Sequence, residues 1–442
     1  MKFEIGDLVN INNRSIKKKE DFREIFYLDI ASLTNGNYEG VKKYDWKKDK
    51  VPSRARRRVQ QNDILISTVR PAHKHFGFIT DKEANLIVST GFAVLSPNIE
   101  KVDPYYLYKY LTLDSVVNYL QAVAENSTSA YPSIKPSDIT TLEINLPELS
   151  TQQKVGRFLR NIDQKIELNN SIISNLEKID QNLFKYWFVD FEFPDKDGKP
   201  YKSNSGKMNE SELGLIPEGW EVGTLSDYVK EALSGDWGKK EPEKNYQARV
   251  NVIRGADIPE LRSGKEGKVP IRYILEKNYK SKKLIENDII VEVSGGSPTQ
   301  STGRSILIDK ILLEKFNERV VSTNFCRIIR SKNKTSSCYL QSLLMYLYNK
   351  GVFFQLENGT TGIKNLDINS LINSYKIIKP EKKEIDNYYA VFSKLNKYIQ
   401  NLGLKNKKLE AINDTLLPKL ISGEIELPDD VEVHEDVPVP GS

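Results

Sequence analysis

The chain repeats itself at a fixed spacing. "IVSTGF" at Ile87–Phe92 returns as "VVSTNF" at Val320–Phe325, 233 residues later. The same offset joins Ile162 to Leu395, Ile166 to Ile399, Leu176 to Leu409, Ile179 to Ile412 and Leu183 to Leu416. With one residue of slippage, "ENSTS" (Glu125–Ser129) meets "ENGTT" (Glu357–Thr361), and "NDILIS" (Asn62–Ser67) resembles "NDIIVEVS" (Asn287–Ser294) at offset 225. An offset held this far marks a tandem duplication of about half the chain, so whatever one half folds into must be built twice.

Each half has the same order. First come short Ile/Val-rich runs, "DILISTV" and "DIIVEVS", separated by Gly, Pro, Asn and Asp, which predicts strands and turns. A long helical pattern follows. Val155, Leu159, Ile162, Ile166, Asn169, Ile173, Leu176, Asp180, Leu183 and Trp187 step alternately by four and three. Tyr388, Phe392, Leu395, Ile399, Leu402, Asn406, Leu409, Asn413, Leu416 and Leu420 do the same. A period near 3.5 held this long predicts a narrow coiled-coil seam rather than a broad core face. "LPELS" and Pro380 mark the helix starts, and Pro418 and Gly423 mark the second stop. The polar stretch Phe193–Trp220, rich in Gly, Ser and Pro, reads as a connector.

With 442 residues, 39% hydrophobic and 28% charged, the chain suits two or three globular domains. It has no apolar run long enough to span a membrane and no signal-peptide core at its start, so the cytoplasm is the expected compartment. Two cysteines, Cys326 and Cys338, make neither a disulfide framework nor a cysteine zinc site. The net charge of +5 is uneven: residues 221–380 carry 26 Lys and Arg against 18 Asp and Glu, while 424–442 hold seven acidic residues and no Lys or Arg. A positive body is compatible with a nucleic-acid partner, and equally with a solvated surface.

Enzymatic constellations are missing. There is no G-x-x-x-x-G-K-[ST] loop, no G-x-G-x-x-G after a strand, and no Asn-Pro-Pro-aromatic stretch. His73 and His75 lack a third histidine except His434 in the acidic tail, so no metal site is expected. "SGGSPTQSTGR" (Ser294–Arg304) lacks the Lys-Ser/Thr ending of a phosphate loop and reads as a connection between strands.

The stretches "NDILISTVRP", "EVSGGSPTQSTGR", "LPELSTQQKVGRFLRNIDQKIELNNSIISNLEKIDQNLFKYWFVDF", "LGLIPEGWEV" and "LLPKLISGEI" resemble the specificity (S) subunit of type I restriction–modification systems. Two features depart from that pattern: Ser127 stands where the family usually has Gly, and the second helix lacks the "QQK" of the first. The resemblance implies an α+β chain of two tandem-duplicated, strand-rich α/β target-recognition domains. Each is followed by a long helix, and the two helices pair as an antiparallel coiled coil. It implies a non-catalytic subunit that binds double-stranded DNA, one half of a split asymmetric site per domain. Two methyltransferase (M) subunits would bring S-adenosylmethionine, with no cofactor in this chain, and restriction (R) subunits would join for cleavage. The expected boundaries are 1–150 and 221–380 for the recognition domains, 151–190 and 381–423 for the helices, 191–220 for the connector and 424–442 for a flexible acidic tail. A protein-binding coiled-coil scaffold without DNA contact is the alternative.

A 37-residue helix from Thr151 to Trp187 is about 55 Å long at about 1.5 Å per residue. One turn of duplex DNA is about 34 Å. Helices of this length suit two readers set a turn or more apart.

The DNA-binding candidates follow from charge and loop chemistry. Lys42–Arg58 carries nine basic residues against two acidic, with Arg54, Arg56, Arg57 and Arg58 suited to phosphates or guanine edges. "STVRPAHKHFG" adds Arg70, His73, Lys74 and His75, and "ENSTSAYPS" adds Asn126, Ser127, Ser129 and Tyr131. In the second half the candidates are Lys239, Lys240, Arg249, Arg254, Ser297, Thr299, Gln300, Ser301, Arg304, Thr360, Lys364 and Asn365.

For the helices, the pairing residues are Ile162, Ile166, Asn169, Ile173 and Leu176 with Leu395, Ile399, Leu402, Asn406 and Leu409. An antiparallel pair keeps a constant sum of facing residue numbers. Setting Asn169 against Asn406 brings Ile173 to Leu402, Val155 to Leu420 and Trp187 to Tyr388. Asp180 and Asn413 then face Leu395 and Ile162, where water or M subunits are expected to satisfy them.

Overall fold

The computed structural model describes residues 1–17, 22–38, 40–80, 85–127, 131–297, 299–359 and 364–428. They form two compact units, Met1–Ile166 with the chain from Leu409 onward, and Glu167–Lys408. The first long helix, Leu149–Phe188, and the second, Lys382–Ser422, each contribute to both units.

In the first unit, Val9–Ile11, Phe92–Pro97, Ile64–Ser67 and Phe76–Phe78 form an antiparallel sheet in that order. A second sheet pairs Glu24–Leu28 parallel to Leu86–Ser89, with Lys42–Asp45 and Ala55–Arg58 on its edges. Lys2–Glu4 closes against Glu143–Asn145. In the second unit, Val229–Ser234, Cys326–Ser331, Asp288–Glu292 and Ser305–Leu307 form the equivalent sheet in the equivalent order. Tyr246–Ile253 pairs parallel to Val320–Ser322 and antiparallel to Ile271–Leu275, and Glu221–Thr224 closes against Lys376–Lys379. The duplication read from scattered six-residue echoes is thus a duplicated strand order. The edge strand Ala55–Arg58 has no counterpart among the described strands of the second sheet.

The repeated Asn-Asp has a backbone cause. Asn62 and Asn287 both take a left-handed conformation (φ 71° and 72°), which Asn tolerates better than most residues. Their amides donate to Ile79 O and Ile308 O, both at 2.8 Å. The following Asp63 and Asp288 are fully buried. Asp63 Oδ2 accepts from the amide of Gln60 at 2.8 Å, and Asp288 Oδ2 from that of Ile285 at 3.0 Å. A buried carboxylate needs a cation. Arg14 supplies it to Asp63 at 2.6 Å and Arg330 to Asp288 at 2.8 Å. The corner is shared, but its counter-ion comes from different elements: Arg14 from the segment after Val9–Ile11, Arg330 from the strand Cys326–Ser331.

The helices pair antiparallel within each unit. In the second, Asn169 and Asn406 are both 2% exposed and hydrogen-bonded at 2.7 Å, and Ile173 packs with Ile399, Leu402 and the half-buried Leu176. Trp187 meets Tyr388 with ring centroids 6.0 Å apart. In the first unit, Val155 and Leu159 share a core with Leu420 and Ile421, and Ile162 is buried while Ile166 and Leu409 are half-buried.

Four features differ from expectation. The second helix runs through Pro418 and stops at Ser422, before Gly423 (φ 75°); near a helix end, proline disturbs few backbone bonds. The connector is folded, because Phe193 stacks on Tyr201 and on Trp220 (4.6 and 4.9 Å) beside the hairpin Met208–Ser211/Gly214–Pro217. Asp180 is satisfied by the chain itself, accepting from Tyr388 Oη at 2.6 Å and Ser342 Oγ at 3.3 Å, and Asn413 Nδ2 donates to Asp163 at 3.4 Å. The tail begins docked: Ile425 and Leu427 pack on the first core, and Leu427 O accepts from Lys154 at 3.2 Å. Residues 429–442 lie outside the described residues.

Candidate nucleic-acid interface

The echoed phrase leads into a turn at the equivalent place in both domains, in the middle of the candidate residues. In the first, Thr90 N donates to Arg54 O at 2.9 Å, tying the turn to the arginine strand. Gly91 O accepts from Thr68 N at 2.8 Å, and Ile134 N donates to Thr68 O at 2.9 Å. Arg70 N then donates to Pro132 O at 2.9 Å. The run Arg54, Thr90–Gly91, Thr68–Arg70, Tyr131–Ser133 is therefore continuous. In the second domain, Ser322 O accepts from Asp236 N at 2.7 Å, Phe325 O accepts from Val293 N at 2.9 Å, and Leu366 N donates to Val293 O at 2.9 Å. Ser294–Gly295 pairs with Lys364–Asn365. The bonds of Val293 and the pairing of Ser294 with Asn365 match those of Thr68 and the bridge of Val69 to Ser133 in the first domain, whereas the bond from Asp236 has no equivalent at Arg54.

Around the first turn, Arg54 and Arg56 are exposed, whereas Arg57 and Arg58 are half-buried. Burial pulls the Arg57 guanidinium below its usual range, and Arg58 lies over the Phe22 ring at 5.7 Å. A polar cavity of about 330 Å³ opens beside Arg54, lined by Tyr27, Asp29, Lys42 and Tyr44. Arg70 and Lys74 hold left-handed backbones (φ 49° and 55°) on either side of the turn Pro71–His73, a strain of the kind that gathers at functional loops. The Arg70 guanidinium stands over the exposed Tyr131 ring at 5.1 Å.

Other candidates in this loop are engaged internally. Lys74 pairs with Asp114 at 2.7 Å, and His75 Nδ1 lies 2.6 Å from Leu33 O. His73 stays exposed, its ring 5.7 Å from that of His75. Asn126 donates to Ala122 O at 3.0 Å, and Ser127 Oγ accepts from Ser133 N at 3.4 Å. Ser129 lies outside the described residues.

In the second domain, Lys239, Lys240 and Arg249 are exposed, with Lys239 5.8 Å from the Tyr246 ring and paired to Glu243 at 3.7 Å. Thr299 and Gln300 are exposed and Ser297 half-buried, but Ser301 is 3% exposed and turned into the fold. Two arginines are committed inside. Arg254 makes a bidentate pair with Asp257 at 2.9 and 2.7 Å, and Arg304 grips buried Glu292 at 2.8 and 2.5 Å. These carboxylates hold both guanidinium groups above their usual range. Lys364 pairs with Glu357 at 2.9 Å while lying over Phe354 at 5.1 Å, and exposed Asn365 bonds Ser294 Oγ. Thr360 is outside the described residues.

The sequence reading missed the aromatic members of this surface. Trp237 is 37% exposed with Arg272 over its ring at 4.1 Å, and Phe325 is 53% and Phe354 41% exposed. An exposed ring that holds a guanidinium presents a pre-positioned cation, suited to phosphate. Among the described residues no group of His, Cys, Asp and Glu is arranged to hold a metal ion. Both cysteines are buried, and burial pushes the Cys326 thiol up to about 12.

Residues 1–178 match the family model described as Type I restriction modification DNA specificity domain. That part of the chain is similar to the specificity domain. It is 25% identical to the type I restriction enzyme HindI specificity subunit of Haemophilus influenzae, over 96% of this chain and 99% of that one. It is 28% identical to the MjaIX specificity subunit of Methanocaldococcus jannaschii, over 82% and 77%. The fold is shared with the type I restriction–modification S subunit from M. genitalium (TM-score 0.54, 14% identity, 95% of each chain). Among the described residues, no helix is long and apolar enough to cross a membrane.

Proposed function

We propose that this chain is the non-catalytic, DNA-reading subunit of a type I restriction–modification enzyme. Each strand-rich domain reads one half of a bipartite asymmetric site, and the chain directs methyltransferase and restriction subunits to it. The observation that carries this reading is the repeated turn. In the turns Ser89–Gly91 and Ser322–Phe325 the carbonyls of Gly91 and Phe325 accept equivalent backbone bonds, and each turn lies among exposed cations and aromatic rings. Lys and Arg at such a surface displace phosphate counterions, while loop residues reach base edges. Two copies of one reading surface suit two DNA segments.

S-adenosylmethionine belongs, on this reading, to two M subunits that dock on this chain, and the complex works in the cytoplasm. Purified alone, the chain neither methylates nor cuts DNA; with its M subunits it directs adenine methylation to one split sequence. Domain exchange tests the division of labour. Replacing Met1–Leu149 with the matching part of a relative should change one half of the methylated sequence, and replacing Glu221–Lys379 the other. A swap that altered both halves would overturn the two-reader reading.

A further inference from the structure

We infer that Phe325 is a base-reading residue of the second domain, packing on the C5-methyl of a thymine in the half-site read there; this rests on the DNA-reading role proposed above. A single exposed apolar side chain is ordinary on a protein surface. Its place makes this one informative.

The echo "VVSTNF" aligns Phe325 with Phe92, but the strand register does not. Phe92 pairs with Ser67, and the equivalent partner, Glu292, pairs with Cys326. Phe92 is fully buried, as is Cys326. One extra residue in the second turn has pushed its phenylalanine out of the core. Phe325 therefore stands where the first domain has Gly91, whose carbonyl accepts the equivalent bond. A Cβ at Gly91 would come within 2.2 Å of Ile30 Cδ1, so the first domain is filled there from within. The second projects a ring at the centre of its candidate surface.

The presentation is rigid. Phe325 N donates to Thr323 Oγ1 at 3.0 Å, and its carbonyl accepts from Val293 N and Ser294 N at 2.9 and 3.2 Å. Two rings on the same surface, Trp237 and Phe354, carry Arg272 and Lys364. Among the described residues no cation or second ring stands against Phe325. A bare ring can satisfy neither donors nor acceptors on a base edge. The apolar feature that the major groove offers is the thymine methyl. With 53% of the residue exposed, nearly half is covered by the fold, which suits touching a groove edge rather than entering the base stack.

The test uses the full chain with its M subunits and the bipartite site identified from methylated DNA. Each thymine of the second domain's half-site is replaced in turn by uracil, which lacks only the methyl. One replacement should weaken wild-type binding about fourfold, the factor expected for one methyl group withdrawn from water. Phe325→Ala should bind the thymine site more weakly and no longer distinguish that uracil, while Phe325→Leu keeps part of the discrimination. Wild-type binding indifferent to every uracil, or a Phe325→Ala variant that still discriminates, would overturn the inference. Failure of wild type to bind the unsubstituted site would overturn the DNA-reading role itself, and this inference with it.

Discussion

Asn169 donates its side-chain N–H to Oδ1 of Asn406 at 2.7 Å, and Asn406 in turn donates to Asn170 at 3.0 Å. This polar layer sits beside the apolar residues Ile173, Ile399 and Leu402 of the seam. Sliding the helices by a turn would bury an amide against a side chain that cannot bond it. Replacing Asn169 or Asn406 alone with Leu should therefore destabilise the fold by about 1–3 kcal/mol, because the remaining buried amide loses the bond that joins the pair. The double Leu variant should recover much of that loss. Urea denaturation of the three variants checks this, and equal destabilisation in single and double variants would refute it.

The helix pairing was legible in the sequence because a period of 3.5 and a duplication are global properties that no single misread residue spoils. The reading surface was less so. Arg254 and Arg304 look like any DNA-facing arginine, yet each is neutralised within the fold. For Arg254 the partner lies only three residues on, at Asp257. For Arg304 only the strand pairing that joins Glu292 N to Arg304 O brings the carboxylate near. Phe325 was hidden by its own echo, since the letters match Phe92 while the register does not. Exposure of Trp237 and Phe354 depends on loop packing that local pattern does not encode.

Asp180 gives the helix bundle a pH dependence. Desolvation pushes its carboxyl up to about 6 from the usual 3.8, although bonds from Tyr388 and Ser342 pull the other way. The folded state then holds this proton more tightly than the unfolded chain. The stability it lends is complete below about pH 4 and is lost as pH rises through about 6, a change of about 3 kcal/mol at full effect. Asp180→Asn should remove that component. Stability measured from pH 4 to 7.5 should fall more steeply for wild type than for the variant.

Arg54 and Arg56 are the exposed members of the arginine strand. Changing both to Ala should weaken DNA binding and lower the slope of log affinity against log salt by about 0.9 for each phosphate that is no longer neutralised. Titrations at several salt concentrations read this directly, and an unchanged slope would remove the pair from the interface.

Gly403 sits in the second long helix where the loop at Gly264 meets it. A Cβ there would lie 2.3 Å from Gly264 O, against backbone that cannot rotate away. Gly403→Ala should cost about 1–3 kcal/mol by overpacking, despite alanine's better helix propensity. A variant as stable as wild type would show that the loop yields.

The buried Asn-Asp corners bear on how such a chain changes over time. Asn62–Asp63 and Asn287–Asp288 hold the strands beneath each turn, and the ions that neutralise them are drawn from different places in the two copies. The foundation has thus tolerated rewiring of its own counter-ion while keeping its geometry. The turns above it have diverged by an insertion and by the trade of a glycine for an outward ring. A gene built this way can vary what its two copies read almost independently of how they fold, so drift in the outer loops exposes new targets without first requiring a new scaffold.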